Sequence, residues 1–325
     1  MSYQKIKDVV LKDGQPAELI LVTGPEPDWQ ERLCCYLNST PRPEGPSYDY
    51  FLLTQELPGL TAGFFTMLCR DSIVGCILTT DDGSVSYINH TFVLRHMRQL
   101  GIASALMTAL EDDFSGRGGK VRFMTTRTGS PAHIMFEKFG YQTVWENSGR
   151  AGMEKHYDGT TWDDYFAADS ANLRIEEMTW AHWPAHRALM WTRKDGDYHP
   201  LDGGFFARIR ESVAEDRTRW KALITSDGRL VGTAVLRPHD RWGKEESNSY
   251  VLDLYVHPGF QAATDMLFKA ILPVEGHVQV FLDGASEDKI LFFLEKGFTL
   301  ETSLKDDFNH HDDSTPDIRI YSKIL

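Results

Sequence analysis

The sequence is poor in cysteine and has no long apolar run. Four cysteines occur in 325 residues, and two of them, Cys34 and Cys35, are adjacent. Adjacent cysteines are poorly placed to pair with each other, so a disulfide framework is excluded and a reducing compartment is expected. No apolar run approaches the roughly 18–20 residues of a membrane span, and the first residues lack the continuous apolar stretch of a signal peptide. These absences predict a cytoplasmic protein without a membrane partner.

Positive charge is also scarce. The chain has 34 Lys and Arg residues against 47 Asp and Glu, which gives a formal net charge of −13. An acidic surface repels nucleic-acid phosphate, so we expect no nucleic-acid partner. It would attract a cationic small molecule, although solubility alone also explains the charge. An anionic cofactor must therefore be held by a local positive feature.

The two halves of the chain present the same landmarks in the same order. Val74-Gly75 and Val231-Gly232 lie 157 residues apart, as do Gly140 and Gly297. Each half reads as a hairpin, a strand, a helix, a strand, a second helix and a final strand. Recurrence at nearly one offset indicates a duplicated domain.

This order of elements predicts an α/β protein with an α+β mixed sheet and helices packed on it in each half. The length suits two domains of ordinary size. The polar, turn-rich stretch Asp158–Asn172 marks the boundary, so we predict domains at residues 1–160 and 161–325.

One stretch of the first half, "VLRHMRQLGIASALMTAL", joins a strand end at Val93 to an amphipathic helix. Arg98, Gly101 and the small residues Ala103 and Ser104 lie at the mouth of that helix. A helix N-terminus offers unpaired N–H groups and partial positive charge, glycine admits close approach, and arginine adds a cation. The pattern predicts a cradle for a pyrophosphate. The alternative is an ordinary βα turn that needs a packing glycine.

These residues resemble the GNAT-type acyl-CoA N-acyltransferase superfamily. The Arg98–Ala103 run, "RQLGIA", matches that family's Arg/Gln-x-x-Gly-x-Gly/Ala motif, five residues after a strand-end valine. A second mark is the helix end "FEKFGY" at Phe136–Tyr141, with "FLEKGF" at Phe293–Phe298 in the other half. The resemblance covers roughly residues 17–157 and 172–325, and it implies two tandem GNAT-like domains.

For this sequence, the resemblance implies that acetyl-CoA or another acyl-CoA is a co-substrate. The end of the strand at Val93 and the loop that follows it would hold this co-substrate, and no metal is implied. The implied cofactor-binding residues are Phe92, Val93, Leu94, Arg98, Gln99, Leu100, Gly101, Ile102, Ala103, Ser104 and Phe136. The second half departs from the pattern, because Gln261 stands in the arginine position and Asp265 adds a negative charge. We therefore expect the second domain to be non-catalytic.

Acyl transfer needs a base for the amine, an oxyanion donor and a proton for the thiolate. The strand that ends at Val93 offers Tyr87, Asn89 and His90 as catalytic candidates, although a strand histidine is more often a structural residue. In the family a tyrosine often protonates the thiolate, and Phe136 occupies that position here.

Strict alternation along this strand predicts its two faces. It places Tyr87, Asn89, Thr91 and Val93 on one face and Ile88, His90 and Phe92 on the other.

Two loops carry further expectations. The family resemblance implies that the stretch Arg42–Phe51 lines an acceptor pocket, with Asp49 pairing a substrate amine; the alternative is an ordinary surface loop. The histidines and aspartates of Phe308–Asp317 are expected to form a solvated loop and no metal site.

The sequence thus predicts an N-acyltransferase, most simply an N-acetyltransferase, acting on a primary amine of a small molecule or peptide that is expected to be cationic. The alternative is an acyl-CoA-binding or regulatory protein without turnover. A third reading keeps the CoA site with a longer acyl group or another reaction on the thioester. The protein is expected to be a monomer or a homodimer.

Overall fold

The chain divides into two compact units. The computed structural model describes residues 3–39, 51–167, 172–192, 209, 212, 218–239, 248–272, 275–283, 287–304 and 318–325. The first unit comprises Met1–Tyr165 together with Thr179–Trp191, and the second comprises Phe166–Met178 together with Thr192–Leu325. The division thus falls at Tyr165 rather than at residue 160, and a segment from beyond the expected boundary returns to the first unit.

The first unit contains a mixed sheet of eight strands in the order β1-β2-β3-β4-β5-β6-β8-β7. The strands are β1 (Tyr3–Val10), β2 (Pro16–Gly24), β3 (Thr61–Cys69), β4 (Ser72–Asp81), β5 (Val85–Val93), β6 (Val121–Arg127), β7 (Gln142–Asn147) and β8 (Arg150–His156). Only the β5–β6 pair is parallel. A parallel pair needs a crossover connection, and the predicted amphipathic helix supplies it.

Helices cover the sheet of the first unit. They are α1 (Pro27–Asn38), α2 (Ile102–Gly116), α3 (Pro131–Lys138), the short α4 (Trp162–Tyr165) and α5 (Trp183–Trp191). The apolar spacing of α2 buries Ile102, Leu106 and Leu110 against one face of the sheet, as predicted. Ser130 caps α3, as its position before a proline predicts, because its hydroxyl accepts from the His133 N–H at 3.1 Å.

The second unit contains a mixed sheet of seven strands in the order β14-β15-β13-β12-β11-β10-β9. The strands are β9 (Arg174–Glu177), β10 (Arg219–Ile224), β11 (Leu230–Pro238), β12 (Ser249–Val256), β13 (His277–Asp283), β14 (Thr299–Leu304) and β15 (Ile318–Ile324), with helices α6 (Thr264–Ile271) and α7 (Glu287–Glu295). The mixed α/β class predicted from the sequence is confirmed.

The two sheets correspond strand by strand from β2 and β9 onward. Gly75 pairs with Val93 in the first unit, and Gly232 pairs with Val256 in the second. The next backbone bond is also the same, from Leu94 N–H to the Val74 oxygen and from His257 N–H to the Val231 oxygen. This correspondence agrees with the predicted duplication. Within the described residues no helix is both long enough and apolar enough to span a membrane.

Candidate functional site

The turn between β5 and α2 is built around two left-handed residues. Gln99 has φ +67° and Gly101 has φ +88°, a region that glycine adopts without strain. Gly101 is the N-cap of α2, and no side chain in the described part of the chain caps this helix start. The backbone bond that opens the helix runs from Ala105 N–H to the Gly101 oxygen at 3.0 Å. The preceding N–H groups, on Ile102, Ala103 and Ser104, therefore have no intrahelical acceptor and can donate to an acceptor outside the helix.

A second glycine explains how α2 comes so close to the sheet. A Cβ on Gly75 would lie 2.6 Å from Cγ2 of Ile102, so only glycine fits opposite the first residue of the helix. A Cβ on Gly101 would meet no atom nearer than the Lys12 side chain, at 3.9 Å. Gly101 is thus required for its backbone conformation, whereas Gly75 is required for space.

Two basic side chains lie beside this turn. The Arg98 Nε donates to the Val93 oxygen at 3.2 Å, and its guanidinium lies 5.5 Å from the Phe92 ring centre. Lys12 joins the loop from the β1–β2 hairpin, because its N–H donates to the Leu100 oxygen at 3.3 Å. Sequence reasoning missed Lys12, although the Asp13-Gly14 turn signal could have revealed the hairpin that carries it.

Strand β5 contains a bulge at Asn89. His90 pairs with Leu78 and Ile88 pairs with Thr79, so Asn89 has no Cα partner on β4. One extra residue reverses the alternation of the strand. The prediction that Tyr87 and Asn89 share a face with Val93 is therefore wrong.

The corrected faces follow from the residues opposite on β4. Tyr87, His90 and Phe92 pair with Thr80, Leu78 and Cys76, whereas Ile88, Thr91 and Val93 pair with Thr79, Ile77 and Gly75. Ile88 and Val93 pack in the core with α2. Tyr87 contacts α5, and Phe92 contacts Tyr36 of α1 on the opposite face. The bulge thus brings His90 to the face of Tyr87 and Asn89, from which strict alternation separates it.

Beyond the bulge, β5 no longer pairs with β6, and we call the space beside this edge of the strand the groove. The parallel pairing ends at Ile88 and Met124. Leu94 bonds to Val74, so in an antiparallel ladder the groups of Val93, one residue earlier, point away from β4. A ligand lying in the groove would therefore find backbone donors and acceptors along this edge.

The three catalytic candidates make different contacts with their neighbours. The Tyr87 hydroxyl lies 2.9 Å from the Thr125 hydroxyl, and the ring is buried. The Asn89 amide donates to Thr80 Oγ1 at 2.9 Å and accepts from the Trp183 indole at 3.1 Å. His90 is half-buried and stacks 6.2 Å from Phe92.

Tyr36 is a neighbour of this strand that sequence reasoning missed. Its hydroxyl donates to the Phe92 oxygen at 2.8 Å, and burial raises the pKa of its phenol far above the ordinary value. No motif marks it, since only the folding of α1 onto β4 and β5 brings it there.

Phe136, the position of the family tyrosine, lies in the hydrophobic core with 1% of its surface exposed. Its ring packs edge-on against Tyr141 at 5.6 Å. Tyr141 does not replace the missing donor, because burial raises the pKa of its phenol and its hydroxyl donates to Glu111 at 2.9 Å.

The comparisons with known proteins agree with this geometry. Residues 29–141 match the family model described as the acetyltransferase (GNAT) family. This segment, about a third of the chain, is thus similar to the GNAT acetyltransferases. No curated protein matches the chain.

Several solved structures are similar to about half of the chain. The GNAT domain of S. lividans PAT is 16% identical, covers 46% of this chain and 96% of its own, and has a TM-score of 0.38. The N-acetyltransferase from Staphylococcus aureus Mu50 is 14% identical, with 47% and 99% covered and a TM-score of 0.39. The spermidine/spermine N-acetyltransferase SpeG from Vibrio cholerae is 12% identical, with 48% and 95% covered and a TM-score of 0.35.

The second unit has a different turn at the position that corresponds to the Arg98–Ser104 loop of the first unit. A 3₁₀ turn, Pro258–Ala263, leads into α6, and Asp265 lies in the first helical turn. The Asp265 carboxylate pairs with Lys269 and Lys296, whose hydrogen bonds lower the pKa of this carboxyl. A cleft of about 340 Å³ remains between the strand end, the turn and α7. An acidic side chain thus lies in the first turn of α6, and Ala263, which precedes that helix, has right-handed backbone dihedrals where Gly101 is left-handed.

Other predicted features lie elsewhere. Within the described residues no group of three His, Cys, Asp or Glu side chains could hold a metal ion. Asp49 and nearly all of the Arg42–Phe51 stretch lie outside the described residues, and so does Phe308–Asp317.

Proposed function

We propose that the first unit binds acyl-CoA at the Arg98–Ser104 loop and transfers its acyl group, most simply an acetyl group, to a primary amine. The observation that carries this proposal is the uncapped start of α2 behind the left-handed Gly101. It supplies several N–H donors at one place in a protein of net charge −13, where an anion needs local support.

The groove along β5 suits the remainder of the cofactor. A pyrophosphate at the loop leaves the pantetheine chain beside the open edge of β5, where Val93 presents its backbone groups. The thioester then approaches the bulge, where Asn89 and His90 lie on one face. Of the implied cofactor residues, Ile102 is buried and contributes through its backbone, and Phe136 contributes only to the core.

The chemistry follows from this arrangement. The amine nitrogen attacks the thioester carbon, the C–S bond breaks, and an amide and free CoA result. His90 is our candidate to accept the amine proton, because imidazole exchanges protons near neutral pH. Backbone N–H groups of β5 would stabilise the oxyanion. Since Phe136 has no proton to give, we propose that water returns the proton to the thiolate.

The acceptor is proposed to be a cationic amine, because the acidic surface would concentrate it. We propose that the second unit is a non-catalytic GNAT-like domain, since the corresponding turn has Gln261 in place of the arginine and Asp265 in the first helical turn. The cytoplasmic location stays a prediction.

Titration calorimetry with acetyl-CoA tests the site. We expect Arg98→Glu to weaken binding by more than about tenfold, because a repulsive charge replaces a cation at the anion site. Arg150→Glu makes the same change of net charge on the exposed start of β8 and serves as the matched control. Absence of binding by the unaltered protein, or equal loss in both variants, would contradict the cofactor assignment.

A free-thiol release assay with a panel of amines separates the two functions. Turnover with a cationic amine supports the transferase. Tight acetyl-CoA binding without thiol release across amino acids, peptides and polyamines would instead support an acyl-CoA-binding protein. The phenylalanine at position 136 is the observation that favours this alternative.

A further inference from the structure

Helix α5 lies outside the segment that matches the GNAT family, yet it belongs to the first unit. The match ends at residue 141, whereas α5 spans Trp183–Trp191. Its rings pack on the face of β5 that carries the bulge, with Trp183 at 6.1 Å and Trp191 at 6.4 Å from Tyr87. A segment from the far side of the domain boundary thus covers part of the candidate active face.

The bulge is held by the side chain of its extra residue. The β4–β5 register skips Asn89, and its Nδ2 donates to Thr80 Oγ1 at 2.9 Å and to the Tyr87 oxygen at 3.1 Å. These bonds connect the bulge to β4 and to the residue two positions earlier on its own strand. The side chain therefore replaces the backbone pairing that the extra residue interrupts.

Trp183 orients this amide. Its indole Nε1 donates to Asn89 Oδ1 at 3.1 Å, which leaves Nδ2 directed at its two acceptors. The indole is 7% exposed, and its edge packs on Tyr87 with 70° between the rings. Since an indole N–H only donates, the contact also fixes which amide atom faces α5.

The segment before Trp183 is itself anchored to the first unit. The side chains of Thr179 and His182 form a reciprocal cap on the 3₁₀ turn that precedes α5. Trp180 packs 5.3 Å from Phe51, which is the last residue of the stretch expected to line the acceptor pocket. The indole is thus carried on a fixed support.

We propose that Trp183 is a positioning residue for acyl transfer, acting through the Asn89 amide on the β5 bulge. This inference rests on the proposed transferase function. The bulge determines which side chains of β5 point to each face of the sheet, so His90 lies on the same face as Tyr87. It also determines which backbone groups line the groove. If the bulge lost its hydrogen bond from Trp183, these groups would be misplaced relative to a thioester, while the proposed phosphate site at Gly101 would remain.

The test compares Trp183→Phe with Trp191→Phe. The first variant keeps an aromatic ring and removes the indole N–H, whereas the second alters the same helix without a hydrogen bond to Asn89. We expect Trp183→Phe to lower kcat by about tenfold, the scale of one lost hydrogen bond, while KM for acetyl-CoA and its calorimetric Kd stay within about twofold. Trp191→Phe should leave kcat nearly unchanged.

A double-mutant cycle shows whether Trp183 acts through Asn89. In an Asn89→Ala background, Trp183→Phe should have no further effect on kcat. Additive losses, or a Trp183→Phe variant with unchanged kcat, would overturn the inference while leaving the transferase function intact.

The Asn89 side-chain amide provides a readout that does not need turnover. Its NMR signals should shift in Trp183→Phe and stay in place in Trp191→Phe. If the unaltered protein releases no thiol, the proposed function fails. An unshifted Asn89 signal in Trp183→Phe overturns the contact itself, whatever the activity.

Discussion

The two units build the same strand-turn-helix connection in different ways. In the first, β5 is bulged and the turn ends in a left-handed Gly101 at an open helix start. In the second, β11 and β12 stay in register from Gly232 to Pro238, and the carboxylate of Asp265 lies in the first turn of α6. The same sheet order therefore forms without the bulge and without a left-handed glycine before the helix. The fold by itself thus requires neither feature.

The units also differ in the polarity of the side chains that are buried beside their parallel strand pairs, β5–β6 and β12–β13. Arg122 is the second residue of the β5–β6 ladder, and Val278 is the second residue of the β12–β13 ladder. Both are fully buried. Tyr141 and Phe298 each follow the glycine that ends a helix, and each N–H bonds back to a phenylalanine oxygen. The first unit thus holds a polar cluster where the second is apolar.

The largest effect is expected in this polar cluster. Glu111 accepts from Arg122 at 2.9 Å and from the hydroxyls of Tyr141 and Tyr157 at 2.9 Å each, and it also pairs with Lys155. Arg122→Ala leaves a buried carboxylate without its main cation, which costs about 3–5 kcal/mol. Urea unfolding followed by circular dichroism measures the loss. Arg127→Ala, at the exposed end of the same strand, should change stability by less than about 0.5 kcal/mol.

High pH weakens the same cluster. Burial raises the pKa of Tyr141 and Tyr157, so the folded state keeps phenol protons that the unfolded state releases. Their contribution is complete below the unfolded pKa of about 10 and is lost as the pH rises above it. Tyr141→Phe, which installs the residue of the second unit, should therefore show a shallower decline in Tm between about pH 9 and 11. An identical decline would contradict this account.

A smaller effect is expected from filling the space between β4 and α2. Gly75→Ala places a methyl group 2.6 Å from Ile102 Cγ2, so α2 must shift, at a cost of about 1–3 kcal/mol. Because α2 carries the anion site, acetyl-CoA binding should weaken as well. Gly232→Ala meets its nearest neighbour, the Val256 side chain, at 3.1 Å and should cost less. Calorimetry and thermal unfolding of both variants measure the difference, and equal losses would contradict it.

A still smaller effect is expected at Lys12. Its side chain lies beside Gly101, so Lys12→Glu should weaken acetyl-CoA binding by about three- to tenfold at low salt and less at high salt. Lys7→Glu, on the preceding strand, is the matched control. Loss of binding that does not depend on salt would argue against a charge effect.

The sequence predicts the parts of the site that lie close together along the chain. The strand end at Val93, the turn and the start of α2 follow from glycine chemistry and apolar spacing within one short stretch. Alternation failed at Asn89, because a bulge inserts one residue without any periodic signal. Tyr36, Lys12 and Trp183 are distant in sequence from β5 and reach it only through tertiary packing, so no local pattern could identify them.

The smallest effect is expected from the loss of charge at Asp265, in the first turn of α6 of the second unit. Asp265 pairs with Lys269 and Lys296, and these hydrogen bonds lower its pKa from the ordinary value of 3.8. A lowered folded pKa stabilises the protein above the unfolded pKa and loses that contribution as the pH falls through the folded value. Asp265→Asn should therefore reduce Tm by about 1–2 °C at pH 7, and by less as the pH falls below the ordinary pKa of 3.8. The pair is exposed to solvent, so added salt should shrink the difference, whereas a difference that grows on acidification would show that the carboxylate is not ion-paired.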